Sequence, residues 1–387
     1  MRRLIFAVAL LLIAAPVGAQ SIYNAAGLGF PSEPVDGRER ALGSFGIGLW
    51  GSSLQPRDPG STGMMVMPTA MFVAQPSWTT FDRKSEETGS FQGNRFPLIG
   101  VTYPLLNGMF SLTFGSFLDQ HFDSQRDASI SLPDTVLAAT DFFEQEGAVS
   151  HLTVGYSRRV LPGAAVGINV GRYAGSLVRR LSRDFGPVTG ISSIDPYQAG
   201  GFWSYAGTSV TGGFAADLTS VARVAGSVTW SSALDANASA DTEAESGSFD
   251  LPIQYRLGAS AVLTPGLRIA ASMVRADWSG IADDFTSPTT VGGTGGFGVG
   301  IELSRASLLG KDAPLRFGYK KINLPFAFGP TAASETSWAG GFGLTLSQSN
   351  NLVLAAVDLA VERGTRSDSL LKESFWRATL SLRVSGY

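Results

Sequence analysis

The sequence predicts an all-β chain, a transmembrane antiparallel β-barrel of about fourteen strands with an N-terminal plug, or hatch. Three observations lead there. Segments of about ten residues alternate between apolar and polar side chains, which is the period of a strand. The connections between these segments are alternately tight and long, the pattern of a barrel with turns on one rim and loops on the other. Ahead of the first such segment lies a stretch rich in Gly and Pro that lacks strand period and is too apolar to be a free tail.

Composition narrows the function classes. The chain has 387 residues, with 47 Gly, 24 Phe, 19 Pro and no Cys, and 16% of it is charged. The absence of Cys excludes disulfide frameworks, thiolate zinc sites and thiol catalysis. Only His121 and His151 offer imidazoles, so metal centres and hydrolytic triads are poorly supplied. Lys and Arg number 29 against 32 Asp and Glu, which leaves no basic footprint for nucleic acid. No cofactor, no metal and no enzymatic activity are expected.

Taken in order, residues 1–19 read as an export signal. Arg2 and Arg3 precede an apolar run over 4–15, Pro16 ends it, and Val17-Gly18-Ala19 supplies a cleavage site. The run is short for a membrane helix, which needs about 20 apolar residues. Residues 20–67 form the expected plug. Its apolar side chains, among them Phe45, Ile47, Leu49, Trp50 and Leu54, must be buried somewhere, and the lumen of the barrel is the nearest enclosure. A periplasmic domain or binding arm is the alternative.

Residues 68–387 form the expected barrel. Strands are read near 70–82, 93–103, 108–119, 147–159, 163–181, 200–217, 221–233, 246–263, 266–279, 291–305, 315–321, 337–348, 351–364 and 374–386. The last pattern is the clearest: Trp376, Ala378, Leu380, Leu382 and Val384 oppose Arg377, Thr379, Ser381 and Arg383. Val353 to Val361 alternates in the same way against Asp358 and Glu362. An even strand number suits a single-chain barrel of a bacterial outer membrane, its short turns periplasmic, and a closed barrel leaves no backbone group unpaired in lipid. Trp78, Phe81, Trp203, Tyr205, Trp230, Trp278, Phe375 and Trp376 are candidates for interfacial girdles, and Tyr387 supplies an aromatic terminus. The longest loop, 120–146, carries Pro133 and then acidic residues amid Val136, Leu137, Phe142 and Phe143, a pattern for a short amphipathic helix that forms a capture groove or packs over the barrel mouth.

The plug also carries a resemblance. Gly27-Leu28-Gly29, then Arg40-Ala41-Leu42-Gly43-Ser44-Phe45, then Ser53-Leu54-Gln55-Pro56 is similar to the N-terminal hatch of FadL-type long-chain fatty acid and hydrocarbon transporters of bacterial outer membranes. The family pattern pairs an Arg-Ala-x-Gly element with an Asn-Pro-Ala element; here the second reads Gln55-Pro56-Arg57. The resemblance implies a barrel plugged by its own N-terminus that captures hydrophobic small molecules outside and releases them laterally or into the periplasm. Its partners would be membrane lipid and the hydrophobic ligand, with Phe45, Ile47, Leu49, Trp50 and Leu54 as pocket or gate. A barrel for secretion or surface-protein assembly and a porin for polar solutes remain as alternatives; the sequence does not specify an oligomeric state.

Other constellations carry little. Gly293-Thr294-Gly295-Gly296-Phe297-Gly298 has dinucleotide-fingerprint spacing but runs on into an alternating strand, so these are small residues of a barrel wall. His151 falls on the lumen row; Ser150 points to the opposite face and Ser157 lies too far along the strand to pair with it.

Overall fold

The computed structural model describes residues 21–386 apart from 52, 84–86, 133–134, 186–194, 241–244, 286–288, 309–310 and 351. The expected export signal and Tyr387 lie outside the described residues. Fourteen antiparallel strands close into one transmembrane barrel. In chain order they are β1 (Thr69–Arg83), β2 (Glu87–Leu105), β3 (Gly108–Asp119), β4 (Thr135–Leu161) and β5 (Ala164–Phe185). Next come β6 (Tyr197–Thr219), β7 (Ala222–Ser231), β8 (Gln254–Thr264), β9 (Leu267–Asp277) and β10 (Gly293–Leu303). The last four are β11 (Leu315–Asn323), β12 (Ser334–Ser349), β13 (Leu352–Ser367) and β14 (Leu371–Ser385). β14 pairs with β1, Val384 opposite Ala70, and this seam closes the wall.

The two faces of the wall differ as the alternation predicts. Val361 is 43% exposed and Trp376 50%, whereas their sequence neighbours Glu362 and Arg377 are 1% and 5% exposed. The outward rows are apolar and clad the barrel for lipid; the inward rows are polar and charged. Trp78, Trp230 and Trp376 face outward as girdle residues should. Tyr205, Trp278 and Phe375 do not: all three are buried inside the barrel.

Several expected loops are strand instead. Among its described residues the segment 120–146 is strand and not helix: after Gln120 and His121, Phe122–Leu132 and the first part of β4 form a hairpin that extends the wall outward. The reason is pairing on both sides of β4, whose residues Ala139 to Glu146 also run alongside β5. Tertiary pairing overrides a weak local helix signal. Likewise Leu234–Ala238 prolongs β7 against β6, and the expected strand 246–263 is split into Gly247–Phe249 and β8. The connection 306–314, expected as a loop longer than a tight turn, holds among its described residues a small hairpin of Ser307–Leu308 and Lys311–Asp312.

Inside, a lattice of ion pairs links β10 to β14. Arg316 bridges Glu302 (2.8 Å) and Asp358 (2.6 Å). Glu335 receives Lys320 (3.0 Å) and Arg366 (2.6 Å), Arg366 reaches on to Glu373 (3.1 Å), and Arg377 joins Glu362 (3.1 Å). Charges removed from water need such partners, because an isolated buried charge costs several kcal/mol. What removes them from water is the N-terminal segment.

Inward glycines give that segment room. Side chains on Gly298, Gly300 and Gly318 would overlap the backbone of Leu42 and Gly43, and one on Gly258 would overlap Ile47. Gly43, Gly46 and Gly48 adopt φ of 64°, 72° and 78°, turns that L-residues resist, and so the chain folds back and forth against the wall. Gly298→Leu is therefore expected to destabilise the seated segment by about 3 kcal/mol, as overpacking against backbone does. Trypsin cleavage around Arg38 and Arg40 in detergent should then accelerate, and unchanged cleavage would contradict this seating.

Candidate functional site

The N-terminal segment runs down the lumen from the loop rim to the turn rim and is buried almost throughout. Near the loop rim Ser21 Oγ donates to Glu373 (2.8 Å) and the Ile22 N–H to the same carboxylate (2.6 Å). Lower down, α1 (Gly37–Ala41) is opened by a capping box in which Asp36 accepts from the Glu39 N–H and Glu39 from the Asp36 N–H. Burial, and then the neighbouring Asp36 carboxylate, push the Glu39 carboxyl well above the ordinary range. Arg38 holds Glu302 at 2.9 Å, tying α1 to the charged lattice. A second helix, α2 (Pro59–Thr62), is capped by Asp58 and lies over Gly167 and Gly213 of the wall.

The five residues singled out from the sequence seal this segment to different parts of the wall. Phe45 packs with Tyr23, Val274, Ile322 and Leu324. Ile47 meets Ala215 and Ala225. Leu49 and Trp50 border a cavity of only about 10 Å³ beside Arg38 and Glu302. Trp50 Nε1 donates to Asp217 (2.9 Å), and its ring lies 5.8 Å from the Arg223 guanidinium. Leu54 joins Met71, Val73 and Leu98. Among the described residues Phe45, Ile47 and Leu54 thus fall in separate clusters.

Alternation alone did not reveal the apolar upper lumen. Phe117, Tyr173, Tyr205, Trp278 and Phe326 form a buried cluster there with Leu28 of the N-terminal segment. Phe117 and Tyr173 are 4.4 Å apart by ring centroids, and Phe326 meets Trp278 edge-on at 5.6 Å. His151 stacks on Tyr173 (4.4 Å) and its Nε2 is 2.7 Å from Ser209 Oγ, so its serine partner comes from another strand.

The wall itself is interrupted. β2 and β3 are paired only from Leu105–Gly108 up to Ile99–Phe114. Above that point, among the described residues, no ladder joins them. Pro97 has no N–H to offer, and a bulge places Phe96 and Pro97 opposite the single residue Ala74 of β1, where pairing jumps from Val73–Leu98 to Gln75–Arg95. The strand bends inward, so that the Pro97 carbonyl lies over the inner face of Gly115. The freed edge of β3 is taken by Phe30–Pro31, which pairs antiparallel with Leu118 and Asp119, and Ser32 N–H donates to Phe117 O (2.8 Å). Arg95 and Asp119 form an ion pair across the break. Behind it lies a cavity of about 50 Å³ bordered by Phe30, Glu33, Arg40 and Lys320, room for a few waters and not for a hydrocarbon ring.

Among the described residues the wall is broken between β2 and β3 and the N-terminal segment covers the break, which defines the class: a transmembrane β-barrel whose lumen is filled by its own N-terminal segment. No protein-family model matches the sequence, and no curated protein matches it. Among solved structures the chain is similar to a Pseudomonas aeruginosa FadL homologue, at 12% identity and a TM-score of 0.63, covering 92% of this chain and 99% of that one. It is also similar to the Ralstonia pickettii toluene transporter TbuX, at 13% identity and a TM-score of 0.58 over the same shares. The Pseudomonas putida toluene transporter TodX matches equally well, with 13% identity and a TM-score of 0.58. These likenesses establish a shared fold along nearly the whole chain.

Proposed function

We propose that this protein is a channel of the bacterial outer membrane for uptake of hydrophobic small molecules, with residues 20–67 as its hatch and residues 68–387 as the barrel, after export directed by residues 1–19. The observation that carries the reading is the break between β2 and β3, set beside an aromatic lumen and covered by Phe30–Pro31. In hydrocarbon an open strand edge is unfavourable, so a gap kept at a fixed place in the wall is a feature with a use. A molecule entering from outside would pass through the apolar upper lumen and leave sideways through the gap once the hatch shifts, without crossing the polar lower lumen. Capture is assigned to an outer groove of about 430 Å³ on the extended hairpins, where Phe142, Val178 and Phe202 lie beside Glu144 and Arg180. The likeness to the toluene transporters TbuX and TodX supports a hydrocarbon-like cargo.

The test is entry of radiolabelled toluene and of a labelled long-chain fatty acid into cells that lack their own uptake route, with and without this protein. Entry should rise several-fold for at least one of them; equal rates would overturn the reading. Trp50→Ala removes the Asp217 hydrogen bond and the contact with Arg223, both outside the wall ladder. It should change uptake while leaving the heat-resistant barrel band on gels intact, and unchanged uptake would remove Trp50 from the gate.

A further inference from the structure

The lipid-facing side of the wall is not uniform. Across β7 to β14 it holds a groove of about 920 Å³. Its floor follows two rungs of cross-strand neighbours. One runs from Val224 through Ala259, Ala271 and Tyr319 to Arg363 and Trp376; the other carries Ala261, Phe317, Gly340 and Val361. Alanines on β8 and β9 and Gly340 on β12 keep the floor low, while Phe317, Trp338 and Trp376 stand exposed as its bank. The groove climbs, because its rungs are tilted with the strands. Val224 lies near the start of β7 at the turn rim, whereas Trp376 lies eight residues above Val384 on β14. That distance is about 27 Å along the strand and about 20 Å in height at the usual tilt, most of an apolar band about 25 Å tall.

Toward the loop rim the outward rows of this face end in cations: Arg275 after Met273 on β9, Lys321 after Tyr319 on β11, Arg363 after Val361 on β13, and Lys372 beyond Trp376 on β14. All four are exposed, and among the described residues none makes an ion pair. Asp277 and Asp82 stand only at the flanks, beyond Arg275 and opposite Lys372. In the centre, Lys321 and Arg363 lie either side of Thr336 and Trp338, with Thr365 next to Thr336. The Arg363 guanidinium is 5.3 Å from the Trp376 ring, a stack that leaves the N–H edge of a guanidinium available to an anion. A cation on the lipid face is unfavourable in hydrocarbon and favourable where anionic headgroups meet it. We propose that this face binds lipopolysaccharide, the phosphorylated glycolipid of the outer leaflet. Lys321 and Arg363 take a phosphate, and an acyl chain descends the groove over Gly340 toward Ala259. Charge complementarity argues for this occupant: a lipid without phosphate would fill the groove and leave the cations at its upper end unmet, whereas a phosphate accepts paired hydrogen bonds from a guanidinium.

The experiment titrates the full-length protein in detergent micelles with three probes and reads bound lipid by native mass spectrometry. The probes are bisphosphorylated lipid A, which is the acylated anchor of lipopolysaccharide, the same lipid A freed of phosphate, and phosphatidylglycerol. Phosphorylated lipid A should bind about tenfold more tightly than the dephosphorylated form, the scale of a charged hydrogen bond, and more tightly than phosphatidylglycerol. Lys321→Gln with Arg363→Gln should remove that preference, and either change alone serves if the double variant does not fold. Arg172→Gln, which alters an exposed cation on β5 halfway round the wall from β12, should leave it unchanged. Gly340→Leu fills the groove from outside, where a new Cβ meets Phe317 at 3.6 Å and the Arg316 carbonyl at 3.9 Å. It should weaken both forms of lipid A by a similar factor. A heat-modifiable band on gels checks that each variant is folded. Equal binding of the two forms of lipid A, or a preference that survives the double substitution, overturns the assignment. So does undiminished binding in Gly340→Leu. Phosphatidylglycerol bound as tightly as lipid A would overturn it in favour of a site for any anionic lipid.

Discussion

Deletion of residues 21–67 is expected to turn a closed barrel into an ion-conducting pore. In planar bilayers the full-length protein should pass little current, because its lumen is filled by the N-terminal segment and the cavities beside that segment hold no more than a few waters. The emptied lumen of fourteen strands is wide enough to fill with water, so large and stable conductance steps should follow. The deleted barrel has the means to fold. Glu302 keeps Arg316 and Arg268, and Glu373 keeps Arg366, so the carboxylates that the hatch touches are still paired within the wall. A deleted barrel that remains heat-modifiable on gels yet electrically silent would show that something other than this segment closes the lumen.

Glu335→Gln should be the most damaging single change in the wall. The carboxylate is 2% exposed and is shared by Lys320 at 3.0 Å, Arg366 at 2.6 Å and Arg377 at 3.7 Å. Neutralising it leaves the cations in excess in a dry interior, and breaking a buried pair from one side costs about 3–5 kcal/mol. Arg366 and Arg377 retain Glu373 and Glu362, whereas Lys320 retains only a 3.8 Å contact with Glu362. Adding Lys320→Met should therefore recover part of the loss. Urea unfolding in detergent would read both changes, and strictly additive losses would show that the two residues are not coupled.

The strands were legible because lipid on one side and a polar lumen on the other impose a two-residue period on every segment. The tight turns were legible for a related reason, since Leu106-Asn107 and Asn350 adopt the left-handed geometry that short reversals need. The hairpin after β3 was not, because its first strand, Phe122–Leu132, mixes charged and small residues and its order comes from pairing with β4. Aromatics near strand ends were equally ambiguous: Trp376 and Phe375 are adjacent in the chain, yet one meets lipid and the other packs beneath Arg366. The glycines at 293–298 read correctly as wall, but only the register shows that Gly298 lies where the chain at Gly43 approaches most closely. The wall gap hangs on Pro97 within an otherwise strand-like run.

The contacts that hold the hatch share a further property. Wall side chains grip it mainly by main-chain atoms: Gln120 takes the Leu28 carbonyl, Ser260 that of Gly48, Asn169 that of Pro56 and Ser227 that of Arg57, while Ser272 accepts from the Phe45 N–H. Such a grip is blind to residue identity. Substitutions along the threaded segment can therefore change which side chains it presents to the lumen while these main-chain moorings stay in place.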